Sequence, residues 1–386
     1  MPDDYDARYK RVYDALNHVE PDTVPTMSMI ETYAIGYSNT TVDYILSDWS
    51  HEVEVFCKPY DRLYADCAYT SGTVLDSKFA ELIGSPAHFV SSDGQTIQHL
   101  SETTMEADEY DQLIADPEGF MTNVLLPRKA KRLAGTTDEK RAAVFGFLKH
   151  LQSKRMVWDT LRERYKDEYS MPVMSAGRSA YPPMDFLFDY LRGFKGTSMD
   201  MQRQPEKMIE GINALAGFLN KMLGIPPNAE SLTEHPPYAT MFHAPTFLSP
   251  QQFERFFAPT YDRMVERIDS LGGKLILFLE GSWKTKYDWI NRLPRNMAFC
   301  ILEDDDIFEA KKLIGDNVCL VGGMPLGLLK YGSTEECKEY AKRLIDVCAP
   351  GGGYMFSTSK SILSAGDINF ENLVATHEFV HEYGKK

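Results

Sequence analysis

Short apolar runs of strand length recur along this chain, and a stretch of helical periodicity follows each of them. The clearest is KLILFLE at 274–280, an unbroken apolar run that ends on Glu280 and then Gly281. A run this short with no polar alternation reads as a strand buried on both faces, as in a parallel sheet. Residues 249–272 before it have helical spacing, and a helix is expected at about 283–293 after it. The other runs are 23–29, 63–69, 171–177, 238–243, 297–303, 318–322 and 353–357. Helical patterns precede or separate them at 5–18, 41–56, 182–191, 205–223, 307–314, 334–348 and 370–383. Ser249-Pro250 is a capped helix start with proline at the first helical position.

Alternation of this kind predicts parallel strands joined by right-handed crossovers. Eight such units predict closure into an α/β fold, a (β/α)8 TIM barrel. An open doubly wound sheet is the alternative. No GxGxxG or GxxxxGK[ST] pattern supports a nucleotide-binding version of it, and the triple glycine at 351–353 precedes a strand, as a tight connection would. The expected organisation is one barrel domain over 1–386 with an insertion at 73–170 after the second strand. Residues 73–105 carry short β-like pieces about a Ser92-Asp93-Gly94 turn, a small antiparallel β insertion. Residues 108–170 are charged and largely helical, with helices at about 117–133 and 137–165.

Composition narrows the function classes. With 43% hydrophobic and 25% charged residues, the chain is an ordinary globular protein. Its formal charge of −15 disfavours binding to nucleic acid or anionic lipid through the net field. No run approaches the ~18 apolar residues of a membrane span, and no secretory signal pattern is seen. Cys57, Cys67, Cys300, Cys319, Cys337 and Cys348 form no CxxC pair. They read as reduced thiols of a cytoplasmic protein.

In a barrel, chemistry sits where strands end at the carboxyl rim. Read in order, that rim holds Glu31 and Tyr33, then Asp66, Cys67 and Tyr69, then Arg178, His243, Glu280, Glu303 with Asp304 and Asp305, Met324, and Ser357, Ser359 and Lys360. Several carboxylates in one apolar cavity cannot all be ionised without a proton or cation to offset them. A raised carboxyl pKa or a bound metal is therefore expected. The alternative for Glu280 is a helix cap or structural ion pair, and for Arg178 a structural fork to a carboxylate.

The order and spacing of several motifs carry a resemblance. FLEGS at 278–282, GGMP at 322–325, GGGY at 351–354 and FENL at 370–373 resemble the uroporphyrinogen decarboxylase-like superfamily. So do ALNHVEPDTVP at 15–25 and His243 followed by SPQQF at 249–253. The resemblance implies a (β/α)8 barrel and either decarboxylation or corrinoid-dependent methyl transfer. Where decarboxylases of the family carry an arginine motif for a polycarboxylate, this chain reads MSMIETY at 27–33, acidic and aromatic. Where thiol-directed methyltransferases bind zinc by His-x-Cys and a later Cys, it reads Phe278-Leu279-Glu280 and STSK at 357–360.

That pattern resembles the methyltransferase I of anaerobic O-demethylase systems. It implies transfer of a methyl group from a methoxylated aromatic to the cobalt of a separate corrinoid protein. The catalytic candidates are Glu280, His243 and Glu303, and the same three are a metal set, with zinc compatible with oxygen and nitrogen ligands. Met27, Glu31, Tyr33, Asp66, Tyr69, Arg178, Ser357 and Lys360 are the substrate-binding candidates. Two alternatives stand beside this reading: a decarboxylase-like enzyme for another carboxylated substrate, and a non-catalytic module that binds a corrinoid partner. A homodimer is left open.

Overall fold

The computed structural model describes residues 4–70, 78, 81–85, 88–99, 103–175, 179–222, 230–233 and 235–386. Arg178 and the start of the insertion at 73–77 lie outside them.

Among the described residues there are ten strands: β1 (Met27–Ser28), β2 (Cys67–Thr70), β3 (His88–Val90), β4 (Ile97–His99), β5 (Val173–Ser175), β6 (Tyr238–Met241), β7 (Leu275–Leu279), β8 (Ala298–Leu302), β9 (Cys319–Met324) and β10 (Tyr354–Thr358). Eight are parallel and form the barrel wall, in two arcs ordered β1-β2-β5 and β10-β9-β8-β7-β6. The fold is the α/β barrel expected from the eight units, but its ring of ladders is not closed. Among the described residues the two seams carry only single bridges, Thr26 to Phe356 and Ile30 to Ile362 on one side and Ser179 to Ala239 on the other. Pro25 lies at the first seam and has no N–H to donate, so only its carbonyl serves there, accepting from Phe356 N at 2.9 Å. The Ser357 hydroxyl adds a stitch by donating to Met27 O at 2.8 Å.

Residues two apart on each strand point to one face. Met27, Cys67, Met174, Ile276, Phe299, Val321 and Met355 therefore meet in one cluster inside the barrel. The helix Tyr5–Leu16 adds Val12, Ala15 and Leu16 to that cluster and closes the amino end of the barrel. Its Tyr13 meets Phe299 edge-on at 6.1 Å. Gly352 sits against the His18 backbone, where a Cβ would come within 2.8 Å, so the triple glycine is a close connection. The remaining core lies between the strands and the outer helices.

The β3–β4 hairpin is antiparallel and turns at Asp93-Gly94, with Gly94 at φ +72°. Its turn docks on the next layer through Val42 N to Gly94 O at 2.8 Å. Among the described residues, no helix is long and apolar enough to cross a membrane.

Candidate active site

The carboxyl ends of β6 and β7 bring His243 and Glu280 together. His243 stands two residues beyond β6, and its Nε2 lies 3.2 Å from Glu280 Oε1. The chain can turn directly after Glu280 because the next residue is Gly281, at φ +64°. The Glu280 carbonyl is held by Trp283 Nε1 at 3.1 Å and by Thr246 Oγ1 at 3.0 Å. The carboxylate is thereby left to face His243.

The other ring nitrogen has a partner absent from the sequence reading. His243 Nδ1 lies 2.7 Å from Asp189 Oδ2, and the Tyr181 hydroxyl donates to the same oxygen. Asp189 belongs to a wide π-type turn at Leu187–Arg192 that continues the helix Pro183–Phe186. Such turns occur often at functional sites. One turn earlier Asp185, fully buried, accepts from Ala244 N at 2.8 Å and so fixes the loop that carries His243. The result is a linear relay, Tyr181–Asp189–His243–Glu280.

Its electrostatics follow from position. Burial works against charge on His243, yet the hydrogen bonds to Asp189 and Glu280 prevail and push its pKa up to about 11. The imidazole is thus a cation at neutral pH and donates from both nitrogens. Burial, reinforced by the charge of Asp189, drives the Asp185 carboxyl well above the usual carboxylate range. Burial also raises Glu31, although Ser361 Oγ donates to it at 2.5 Å. Tyr69 is pushed up by burial and further by the charges of Glu31 and Glu280. The Tyr69 ring lies 6.4 Å from Phe278, at the top of the interior cluster.

Other candidates stand elsewhere. Glu303 follows β8, but its Oε2 accepts from Gly281 N at 2.7 Å and its Oε1 lies 3.2 Å from Lys360. Lys360 also meets Asp304 at 3.0 Å. Asp66 corrects the sequence reading. The second strand begins at Cys67, so Asp66 lies at the amino end, fully buried, and binds Arg11 and Thr26. Tyr33 is a second correction: it packs in the outer layer, stacked on Phe370 at 6.2 Å. Met27 and Ser357 are interior groups without exposed surface, and the Ser357 hydroxyl is committed to the seam.

The donors do not fit the zinc set drawn from the sequence. The two nitrogens of His243 point apart, each to its own carboxylate, and Glu303 is engaged by an N–H and an ammonium group. Among the described residues no group of three His, Cys, Asp or Glu is spaced to hold a metal ion.

Sequence reading also missed an aromatic lip. Phe188 stacks on Phe247 at 5.7 Å, and Phe194 meets Phe247 edge-on at 5.0 Å. Phe194 and Phe247 are more than half exposed. Phe247 follows Thr246, the residue that holds the Glu280 carbonyl. Exposed phenylalanines grouped beside a polar site are the signal a composition scan could use.

The family model for uroporphyrinogen decarboxylase (URO-D) matches residues 187–383, which include Asp189, His243, Glu280, Glu303 and Lys360. No curated protein sequence matches. Among solved structures, the chain is similar to a methyltransferase from Methanosarcina mazei, with a TM-score of 0.58 and 14% identity over 97% of this chain and 98% of that one. At that identity the likeness is one of fold.

Proposed function

The chain belongs to the uroporphyrinogen decarboxylase family, and within it we propose a methyltransferase that demethylates a methoxylated aromatic and passes the methyl group to a corrinoid protein. The observation that carries this reading is the cationic His243 held between Asp189 and Glu280 at the barrel mouth. The methyltransferase name of the structural neighbour agrees with it. The mouth is acidic, with Glu31, Glu280, Glu303 and Asp304, and the ammonium of Lys360 is already shared by two carboxylates. Those groups repel a polycarboxylate and suit a neutral ether.

A corrinoid held by its carrier protein would supply the low-valent cobalt whose electron pair forms the new bond to the methyl carbon. The open aromatic lip of Phe188, Phe194 and Phe247 fits a flat macrocycle edge. Tyr69 and Phe278 would wall the aromatic ring. As the carbon–oxygen bond breaks, its electron pair stays on the aryl oxygen, which needs a proton. His243 holds one, and Glu280 is placed to pass it on. Asp189 and Glu280 hold His243 in its protonated form, so the proton that the leaving aryl oxygen needs is in place before the bond breaks.

The direct assay incubates the protein with reduced cobalamin and a methoxyarene and follows release of the free phenol. Phenol that appears only with both components supports the reading. Release of carbon dioxide from a carboxylated substrate, with no phenol formed, would replace it with the decarboxylase alternative.

A further inference from the structure

Lys286 is a buried cation that the site described above does not use. It ends the 3-10 turn Lys284–Lys286 and keeps only 5% of its surface exposed. Among the described residues its ammonium forms no ion pair and no side-chain hydrogen bond. It stands 5.8 Å from the centre of the Trp283 ring, a contact that offsets only part of the desolvation of the charge. Asp305 is the carboxylate whose charge reaches it. Both Asp305 oxygens are taken, however, by Ser282 Oγ at 2.5 Å and by Trp283 N and Tyr287 Oη at 2.8 Å each. Burial accordingly lowers the Lys286 pKa. Lysines are almost never buried this far without a partner.

The unmatched charge borders a cavity of about 340 Å³, within the range of small-ligand pockets. The cavity opens between residues 250–254 and 285–292, and none of the residues named at the barrel mouth lines it. Its floor is apolar, with Phe253 and Trp289 in edge-on contact at 5.5 Å. On the rim Arg292 is already paired with Glu254 at 2.8 Å, and Asp288 adds an exposed negative charge. The cavity thus offers one unpaired positive charge beside an apolar floor, with carboxylates at its edge. We infer that it binds a small apolar monocarboxylic acid, whose carboxylate pairs with Lys286 and whose body covers Phe253 and Trp289. A neutral ligand would leave the ammonium unmatched. A dianion would bring its second charge against Glu254 and Asp288.

The test uses the full chain with benzoate, benzamide and phthalate as probes, read by calorimetry and by melting temperature. Benzoate should bind one molecule per chain and raise the melting temperature. Benzamide, which has a similar shape and no charge, should bind about tenfold more weakly or worse, and so should the dianion phthalate. Lys286→Met keeps an apolar stem and removes the charge, and should weaken benzoate by about tenfold or more. Gln251→Glu adds a negative charge at an exposed rim position, does not touch the core, and should weaken benzoate as well. The inference is overturned if benzoate does not bind the wild type, or if benzamide or phthalate binds as tightly. Full benzoate affinity in the Lys286→Met variant also overturns it. If that variant does not fold, full affinity in Gln251→Glu overturns it instead.

Discussion

The two ends of the barrel each hold a charged cluster, built from similar groups to opposite purpose. At the amino end the Arg11 guanidinium meets Asp66, Asp22 at 2.8 Å and Tyr64 at 3.2 Å. Asp66 also accepts from Thr26 N at 2.7 Å, Thr26 Oγ1 at 3.0 Å and Tyr64 Oη at 2.9 Å. Asp66 has no exposed surface, and both of its oxygens are occupied. Such a cluster fastens the first helix to the base of β1 and β2 and has no capacity for a ligand. At the carboxyl end Glu280 and His243 keep roughly a third of their side-chain surface open, and carboxylates outnumber cations. Residue type does not separate the two clusters. What does is whether the group stands before or after its strand.

The comparison breaks first at Glu280. Glu280→Gln should lower phenol release by about 10²–10⁴-fold and leave the unfolding midpoint almost unmoved, since the side chain is partly solvated. A rate within twofold of wild type would reduce the cluster to structure. The reverse pattern is expected at the base. Asp66→Ala leaves Arg11 with one buried partner fewer and should cost about 3–5 kcal/mol of folding stability, measured by denaturant titration. Activity per folded molecule should be unchanged. A large loss of turnover without destabilisation would return Asp66 to the mouth.

Asp189→Asn sharpens the contrast with a smaller effect. Removing that carboxylate lowers the pKa of His243, which can be followed by NMR titration of the ring. In the wild type the folded pKa of about 11 exceeds the unfolded value of about 6.5. Its stabilising contribution is therefore complete below pH ~6.5 and lost as pH rises toward 11. The Asn variant should lose less stability over that window and lose activity at a lower alkaline pH. Superimposable alkaline profiles of variant and wild type would show that Asp189 does not hold the proton on His243.

The amino-acid pattern alone determined the eight-unit barrel, the capped helix starts such as Ser249, and the placement of His243 and Glu280 on neighbouring strand ends. Each follows from local periodicity and from the order of adjacent parallel strands. Tertiary packing decided the rest. The apolar run 63–69 does not say where its ladder begins, and a shift to Cys67 sends Asp66 to the opposite end. Asp189 lies 54 residues from His243, on a turn whose extra residue rotates it off the ordinary helical face. Periodicity reads faces and lengths, but which residue meets a distant partner depends on register and on the packing of helix against sheet.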